Sequence, residues 1–534
     1  MMKRTTWIAF TASLFFAEAI AADCSEGIEF FKYGDFKIAK EIFSNCNSSN
    51  TAEKMFYLGE IYFAEEKRDS AFLFYNKGKM ADENYVFNEI GLLKLTQKSN
   101  PSVTTAELQK IAKKNKKRAD VLTSIAKAFF QNGEKELALN WLHEAQSVNN
   151  QYAESFVLEG DIYASMSEYG KASSFYEMAL TTNPKCEEAY IRYANIYTNI
   201  NPKTAIEVLN RCVNVNPSSA LAQRALGDAY YADAQFSKAA QAYAQYAESP
   251  YYQPADLSKY AMILLFNGEF QKSTDIVNEA LRKDPNNLIM NRLLMYNLYE
   301  QKQYEQSFSV TKKIFNEKNK SQLIWMDHFY YGKLLSKKGM KTDALKQYET
   351  ALLLDSTKNN IYKEMAEVYE STNNYEMAIR QFQKFIDKEK AGANVNDILT
   401  LGKYNYYAGN QISEGNQDSL SFKKLYLTKA DSLFNIVEKK VPKNYLGHLW
   451  RARTNSALDP ESEQGLAKPY YESALTVLDV KNPRETRIVI ECYSYLGYYY
   501  FLKKETDLSK SYWNKIIEVD PQNEVAKKAL QGMK

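Results

Sequence analysis

Small and large apolar positions recur along this chain with a period of about 34 residues. In Ala153–Pro184, AESFVLEGDIYASMSEYGKASSFYEMALTTNP, Gly160 and Tyr163 lie in one amphipathic stretch and Tyr169 marks a break. Ala172, Tyr176 and Ala179 lie in a second stretch, and Pro184 marks the exit. The same frame returns at Gly227, Tyr230, Phe236, Ala239 and Tyr243, and again at Ala366, Tyr369, Tyr375, Ala378 and Phe382. Near the end come Gly497, Tyr500, Trp513 and Pro521. Apolar residues three and four apart predict helices. A small residue lets two helix axes approach, and an aromatic ring packs over the crossing. One such pair leaves an apolar face open, so stacking on neighbours must bury it.

The frame predicts units starting near residues 20, 52, 84, 119, 153, 187, 220, 254, 288, 325, 359, 395, 445 and 490. The third, around Gly91 to Lys114, lacks the small residue expected in its second helix. Two units carry polar insertions between their helices, Gly409 to Phe422 and Asp459 to Lys468. A short polar helix from Asn523, NEVAKKALQGM, closes the array, as a solenoid end requires for solubility.

This pattern resembles the tetratricopeptide repeat. The resemblance implies an all-α, right-handed superhelical solenoid of about fourteen helix pairs with a C-terminal capping helix. It also implies a concave groove, lined by the first helix of each pair, that takes other proteins or peptides. Side chains one and two turns from the small packing residue would face that groove. They are Arg224, Asp228 and Tyr231, then Arg292, Tyr296 and Tyr299, then Phe329 and Lys333, Lys403 and Tyr406, Arg453, and Tyr498. Tyrosine beside arginine and lysine is the composition that carries energy at interfaces. The stretch Leu449 to Leu475 is similar to envelope tetratricopeptide proteins of the Bacteroidetes, which implies a periplasmic home. The expected organisation is a signal peptide over 1–21, N-terminal units over 22–118, a central array over 119–394, and C-terminal units with the two insertions over 395–534.

Composition agrees with helices joined by short turns. Only 12 prolines and 20 glycines occur in 534 residues, against 45% hydrophobic and 25% charged residues, a soluble and ordered balance. The net charge is +3, without the segregated basic excess of a nucleic-acid binder. The one dense basic run, Lys110 to Arg118, reads as a solvated helix end. At the N-terminus, Lys3 and Arg4 precede an apolar stretch, Trp7 to Phe16, and Ala19-Ile20-Ala21 supplies small residues before a cleavage site. This is a secretory signal pattern. Lipidation at Cys24 is disfavoured because Asp23 occupies the place where a small residue is needed. No later segment has the length to span a bilayer.

Export permits disulfides. Cys24 and Cys46 bracket the first helix pair, and Cys186 and Cys212 bracket the sixth in the same way, so two bridges are expected. Cys492 has no partner. No C-x-x-C spacing supports redox catalysis or a zinc site. His143, His328 and His448 fall in different units, which argues against a shared metal site. No phosphate loop or nucleophile elbow occurs; GKLLSKKGMKT from Gly332 lacks the spacing and falls inside a repeat. The reading is therefore non-catalytic, without cofactor or metal. Four Asp-Ser steps, at Ser70, Ser356, Ser419 and Ser432, look like the O-glycosylation acceptor pattern of Bacteroidetes envelope proteins. Ser419, in an insertion, is the best placed. The expected function is a scaffold of the bacterial envelope. The alternative is a periplasmic or surface ligand- or glycan-binding protein built on the same frame, which normally needs a larger added subdomain.

Overall fold

A small residue in one helix and a ring in the next set the crossing of most pairs. At Gly160 an added Cβ would lie 2.6 Å from the Tyr176 ring, and at Gly227 it would lie 2.5 Å from the Tyr243 ring. Both tyrosines are fully buried. Where serine replaces alanine in the second helix, its hydroxyl finds the carbonyl at the crossing. Ser273 donates to Ala261 O, Ser307 to Met295 O and Ser509 to Gly497 O, each at 2.7 Å. In the third pair Thr104 takes this position. It is buried, and its hydroxyl shares a 3.0 Å hydrogen bond with Thr96. The irregular unit is thus a packed helix pair with a different crossing residue.

The computed structural model describes residues 24–46, 50–249, 252–389, 392–413 and 417–533. The expected signal peptide, 1–21, lies outside them. The described residues form an all-α solenoid of fourteen helix pairs. The pairs run from Cys24–Lys32 with Phe36–Asn45 to Thr486–Leu502 with Thr506–Val519, and Glu524–Gly532 closes the array. No strand occurs among them. Eight of the expected starts, at 119, 153, 187, 220, 288, 325, 395 and 445, are the first residues of helices. The turn inside a pair commonly places one residue at positive φ, a glycine at Gly133, Gly268 and Gly339 but Lys302 at +62° and Asn373 at +57°.

Two compact units divide the chain, Met1–Val277 and Asn278–Lys534. In the first, Tyr–acid–cation ladders tie one pair to the next. The Tyr75 hydroxyl donates to Glu60 at 2.6 Å, Tyr176 to Asp161 at 2.8 Å and Tyr243 to Asp228 at 2.6 Å. Each acid then meets a cation from a following pair: Lys94 for Glu60, Arg192 for Asp161 at 2.9 Å, and Lys259 for Asp228 at 3.0 Å. The second unit uses the same device with other residues, Arg292 on Asp327 at 2.7 Å and Lys333 on Glu364 at 3.5 Å.

The two insertions differ from each other. The first is not a loop of its full length, because it extends the flanking helices to Val395–Gln411 and Gln417–Lys440. Ser419 therefore lies in the first turn of a long helix and not in a loop. The second insertion is a true loop, organised by one buried carboxylate. Asp459 accepts the backbone N–H groups of Gln464, Gly465 and Leu466 at 3.0, 2.7 and 3.3 Å.

The cysteines also divide. Cys24 and Cys46 are joined. The expected second bridge is absent: Cys186 and Cys212 are buried thiols, as is Cys492. Cys186 is the residue before the helix Glu187–Tyr197, where its carbonyl accepts the Ala189 N–H at 3.1 Å and its side chain packs in the apolar core. Cys212 lies inside the helix Pro202–Val215 among packed apolar side chains.

Candidate functional site

The first unit curls until its first helix pair meets its sixth and seventh. Arg192 donates to the carbonyl of Lys32 at 2.8 Å, and Arg224 to the Asp35 carboxylate at 2.9 Å. Tyr33, in the same turn, packs on the core around Leu209 and Cys212. Closing the coil encloses a cavity of about 640 Å³ lined by the first helices of six consecutive pairs. Nine aromatic rings line it. Phe31, Tyr57, Phe56, Phe87 and Tyr85 form a continuous run with ring centroids 5.1 to 5.7 Å apart.

Six carboxylates and three cations also face this space. Burial alone would push the Glu60 carboxyl up, but Lys94 and Lys127 outweigh it and hold it at about 2. Asp161 is raised by burial despite Arg192. Glu53 is raised by burial and has no cation beside it to oppose this. Tyr57, Tyr85 and Tyr152 are all raised, first by burial and then by the surrounding carboxylates, Glu53 for the first two and Glu154 for the third. The interior is thus an aromatic space with a negative field.

Of the residues expected to line a groove, Arg224, Asp228 and Tyr231 lie in this first unit. Arg224 is committed to Asp35 and Asp256, and Asp228 to Tyr243 and Lys259. The Tyr231 hydroxyl points at Met262 Sδ at 3.3 Å. In the second unit Arg292 and Tyr296 both bind Asp327, and Tyr296 is 1% exposed. Tyr296 belongs inside the wall, because its hydroxyl satisfies a buried carboxylate of the next pair. Tyr299 is buried too.

The remaining six residues form two clusters and one exposed outlier. Lys333 Nζ lies 4.8 Å from the Tyr299 ring and 5.2 Å from Phe329. Lys403 and Arg453 both lie over Trp450, at 5.2 and 4.9 Å, with Tyr406 edge-on to the same ring at 5.3 Å. Arg453 is held by Glu491 at 2.7 Å. Burial, reinforced by Arg453, lowers the Lys403 ammonium. Tyr498 is 45% exposed.

The first unit's cavity was missed because the groove was read only from Arg224 onward. The signal was present: Phe56, Thr123 and Val157 precede the small residues Gly59, Ala126 and Gly160 by the same helical turn.

The histidines are spent locally, His328 on Gln347 at 2.7 Å and His448 on the Pro442 carbonyl at 3.1 Å, while His143 lies 3.4 Å from Glu159. Among the described residues no group of three acids, histidines or cysteines could hold a metal ion. No helix there is long and apolar enough to cross a membrane.

Residues 197–252 match the tetratricopeptide repeat family. Among solved structures the chain is similar to the C-terminal part of a TPR repeat-containing protein from Cytophaga hutchinsonii. The two are 28% identical over 51% of this chain and 99% of that one, with a TM-score of 0.43. It is also similar to the APC/C hetero-tetramer Cut9-Hcn1, at 13% identity over 90% and 96% of the two chains and a TM-score of 0.32. A third is YrrB, a TPR protein with an unusual peptide-binding site, at 18% identity over 36% and 97% and a TM-score of 0.29. No curated protein matches the chain.

Proposed function

We propose that the chain is a tetratricopeptide scaffold of the bacterial cell envelope that holds partner proteins or peptides on the inner faces of its helix pairs and catalyses nothing. The observation that carries this reading is the first unit's cavity, where six consecutive first helices and the residues flanking them present nine rings and nine charged groups to one space. Aromatic side chains beside charged ones supply rigid contact area together with directional bonds. In the second unit Lys403, Arg453 and Tyr406 around Trp450 are a further contact surface of the same composition. Export to the periplasm is supported by the signal pattern over 1–21 and by a disulfide at Cys24–Cys46, a bond that oxidising compartments favour.

A second reading, a periplasmic or surface ligand- or glycan-binding protein on the same frame, draws on the cavity's size. A volume of 640 Å³ falls within the range of small-molecule sites, roughly 300–1,000 Å³. Crosslinking and affinity purification from the native envelope, followed by mass spectrometry, separates the two. The scaffold reading expects defined envelope proteins, depleted when Lys403 and Tyr406 are changed to alanine or when the first unit's cavity is altered. Recovery of no defined protein, with purified chain binding soluble glycans, would replace it with the ligand-binding reading.

A further inference from the structure

Two acids in the first unit's cavity have no partner. Glu53 and Glu154 line it, and neither carboxylate makes an ion pair or hydrogen bond among the described residues. The other four acids there are answered: Glu60 by Lys94 and Lys127, Asp161 and Glu188 by Arg192, and Asp120 by Arg118. Thr123 lines the same space at 7% exposure, and its hydroxyl has no hydrogen-bond partner. Tyr57, Tyr85 and Tyr152 stand among these groups, each under the field of the cavity's acids. Two carboxylates without an ion pair, beside an aromatic run that lines the same cavity, together form a receptor for a cation. Ring faces attract cations by their quadrupole, and a charge-assisted bond to a carboxylate is stronger than a neutral one.

We propose that this cavity receives a basic segment of a partner protein, seating a lysine or arginine side chain between Glu53 and Glu154 against Tyr57, Tyr85 and Tyr152. The proposal rests on the scaffold reading and names the chemistry of its ligand. Charge chooses the occupant: with Lys94 on Glu60 and Arg118 on Asp120 behind the lining, the carboxylates without an ion pair are Glu53 and Glu154, so an acidic segment is repelled there and a basic one attracted. The stems of lysine and arginine are apolar enough to lie along the aromatic run while the head meets the acids.

The test is fluorescence anisotropy on the full mature chain with a labelled peptide of alternating lysine and alanine, its glutamate–alanine counterpart, and spermidine as competitor. The basic peptide is expected to bind, more weakly as salt rises, and the acidic one not to bind. The isosteric double variant Glu53→Gln, Glu154→Gln, with unchanged helicity by circular dichroism, should bind at least tenfold more weakly. Glu524→Gln in the capping helix, an exposed acid outside both surfaces, should bind as the native chain does. Equal binding of both peptides, or unchanged affinity in the double variant, overturns the proposal. So does binding of spermidine without the peptide, which would make the site one for free amines. These results are separable from failure of the scaffold reading, which is decided by whether envelope proteins are captured at all.

Discussion

Arg224 and Asp35 meet at 2.9 Å although 189 residues of chain separate them. The same guanidinium reaches Asp256 at 3.1 Å, so one side chain joins the first turn of the array to the approach of the helix Leu257–Phe266. The pair is partly exposed, at 31% and 25%, and pairs of that kind contribute about 0–1 kcal/mol. Asp35→Asn should therefore leave global unfolding almost unchanged and act locally. Hydrogen exchange over 24–45 is expected to quicken, because the first helix pair loses one of its few ties to the rest of the unit. Exchange unchanged over 24–45 would show that packing of Tyr33 and Phe31, and not this ion pair, closes the coil.

The fold was legible because the crossing is a local matter. Gly160 with Tyr176 and Gly227 with Tyr243 lie in one helix pair each, and their spacing follows from helix geometry. The closure of the first unit was not legible. Which pair meets the first depends on a small rotation added at every step, and no single residue encodes that sum. The same limit explains Tyr296, whose position faces inward by helical phase but whose hydroxyl is claimed by Asp327 of the next pair. It also explains Cys186 and Cys212, which bracket a helix pair as Cys24 and Cys46 do while both side chains pack as thiols in the apolar core.

The glycine at the crossing makes a paired prediction. Gly160→Ala would put a methyl 2.6 Å from a Tyr176 ring carbon, and that ring is fixed by its 2.8 Å hydrogen bond to Asp161. Overpacking of this kind costs about 1–3 kcal/mol, which outweighs the ~1 kcal/mol that alanine gains in helix propensity. Gly170, in the second helix of the same pair, has nothing within 4 Å of an added Cβ. Gly170→Ala should stabilise by up to ~1 kcal/mol. Urea unfolding of the two variants should shift the midpoint in opposite directions, and a shift in the same direction would refute the packing account.

Thiol counting tests the cysteine arrangement. Denatured without reductant, the chain should present three thiols, those of Cys186, Cys212 and Cys492, and all five only after reduction. One thiol would mean that the second bridge forms after all. In the native state none of the three should react at pH 8. Burial pushes Cys186 up to about 11 and Cys492 up to about 12, and raises Cys212 as well, so the nucleophilic thiolate is scarce. Reducing Cys24–Cys46 should weaken the first helix pair by about 3 kcal/mol through loop-closure entropy, visible as faster exchange confined to 24–45.

The buried group Glu60, Lys94 and Tyr75 gives the array a pH dependence of known sign. Glu60 and Lys94 are 3% and 2% exposed and form an ion pair, with the Tyr75 hydroxyl on the same carboxylate and Lys127 at 3.5 Å. Burial would raise the Glu60 carboxyl, but Lys94 and Lys127 together hold it at about 2, below its ordinary 4.5. Between those values the unfolded chain binds the extra proton, so stability rises with pH there. The contribution is whole above about pH 4.5 and is lost as pH approaches 2. Glu60→Gln should remove that part of the acid dependence and cost about 3–5 kcal/mol at neutral pH, because Lys94 is left buried without its counter-charge. Replacing both partners, Glu60→Leu with Lys94→Met, should recover most of that loss. Urea midpoints of the native chain and the two variants between pH 2 and 7 decide it. A native curve parallel to that of Glu60→Gln across this range would mean that the ion pair does not stabilise the second and third helix pairs.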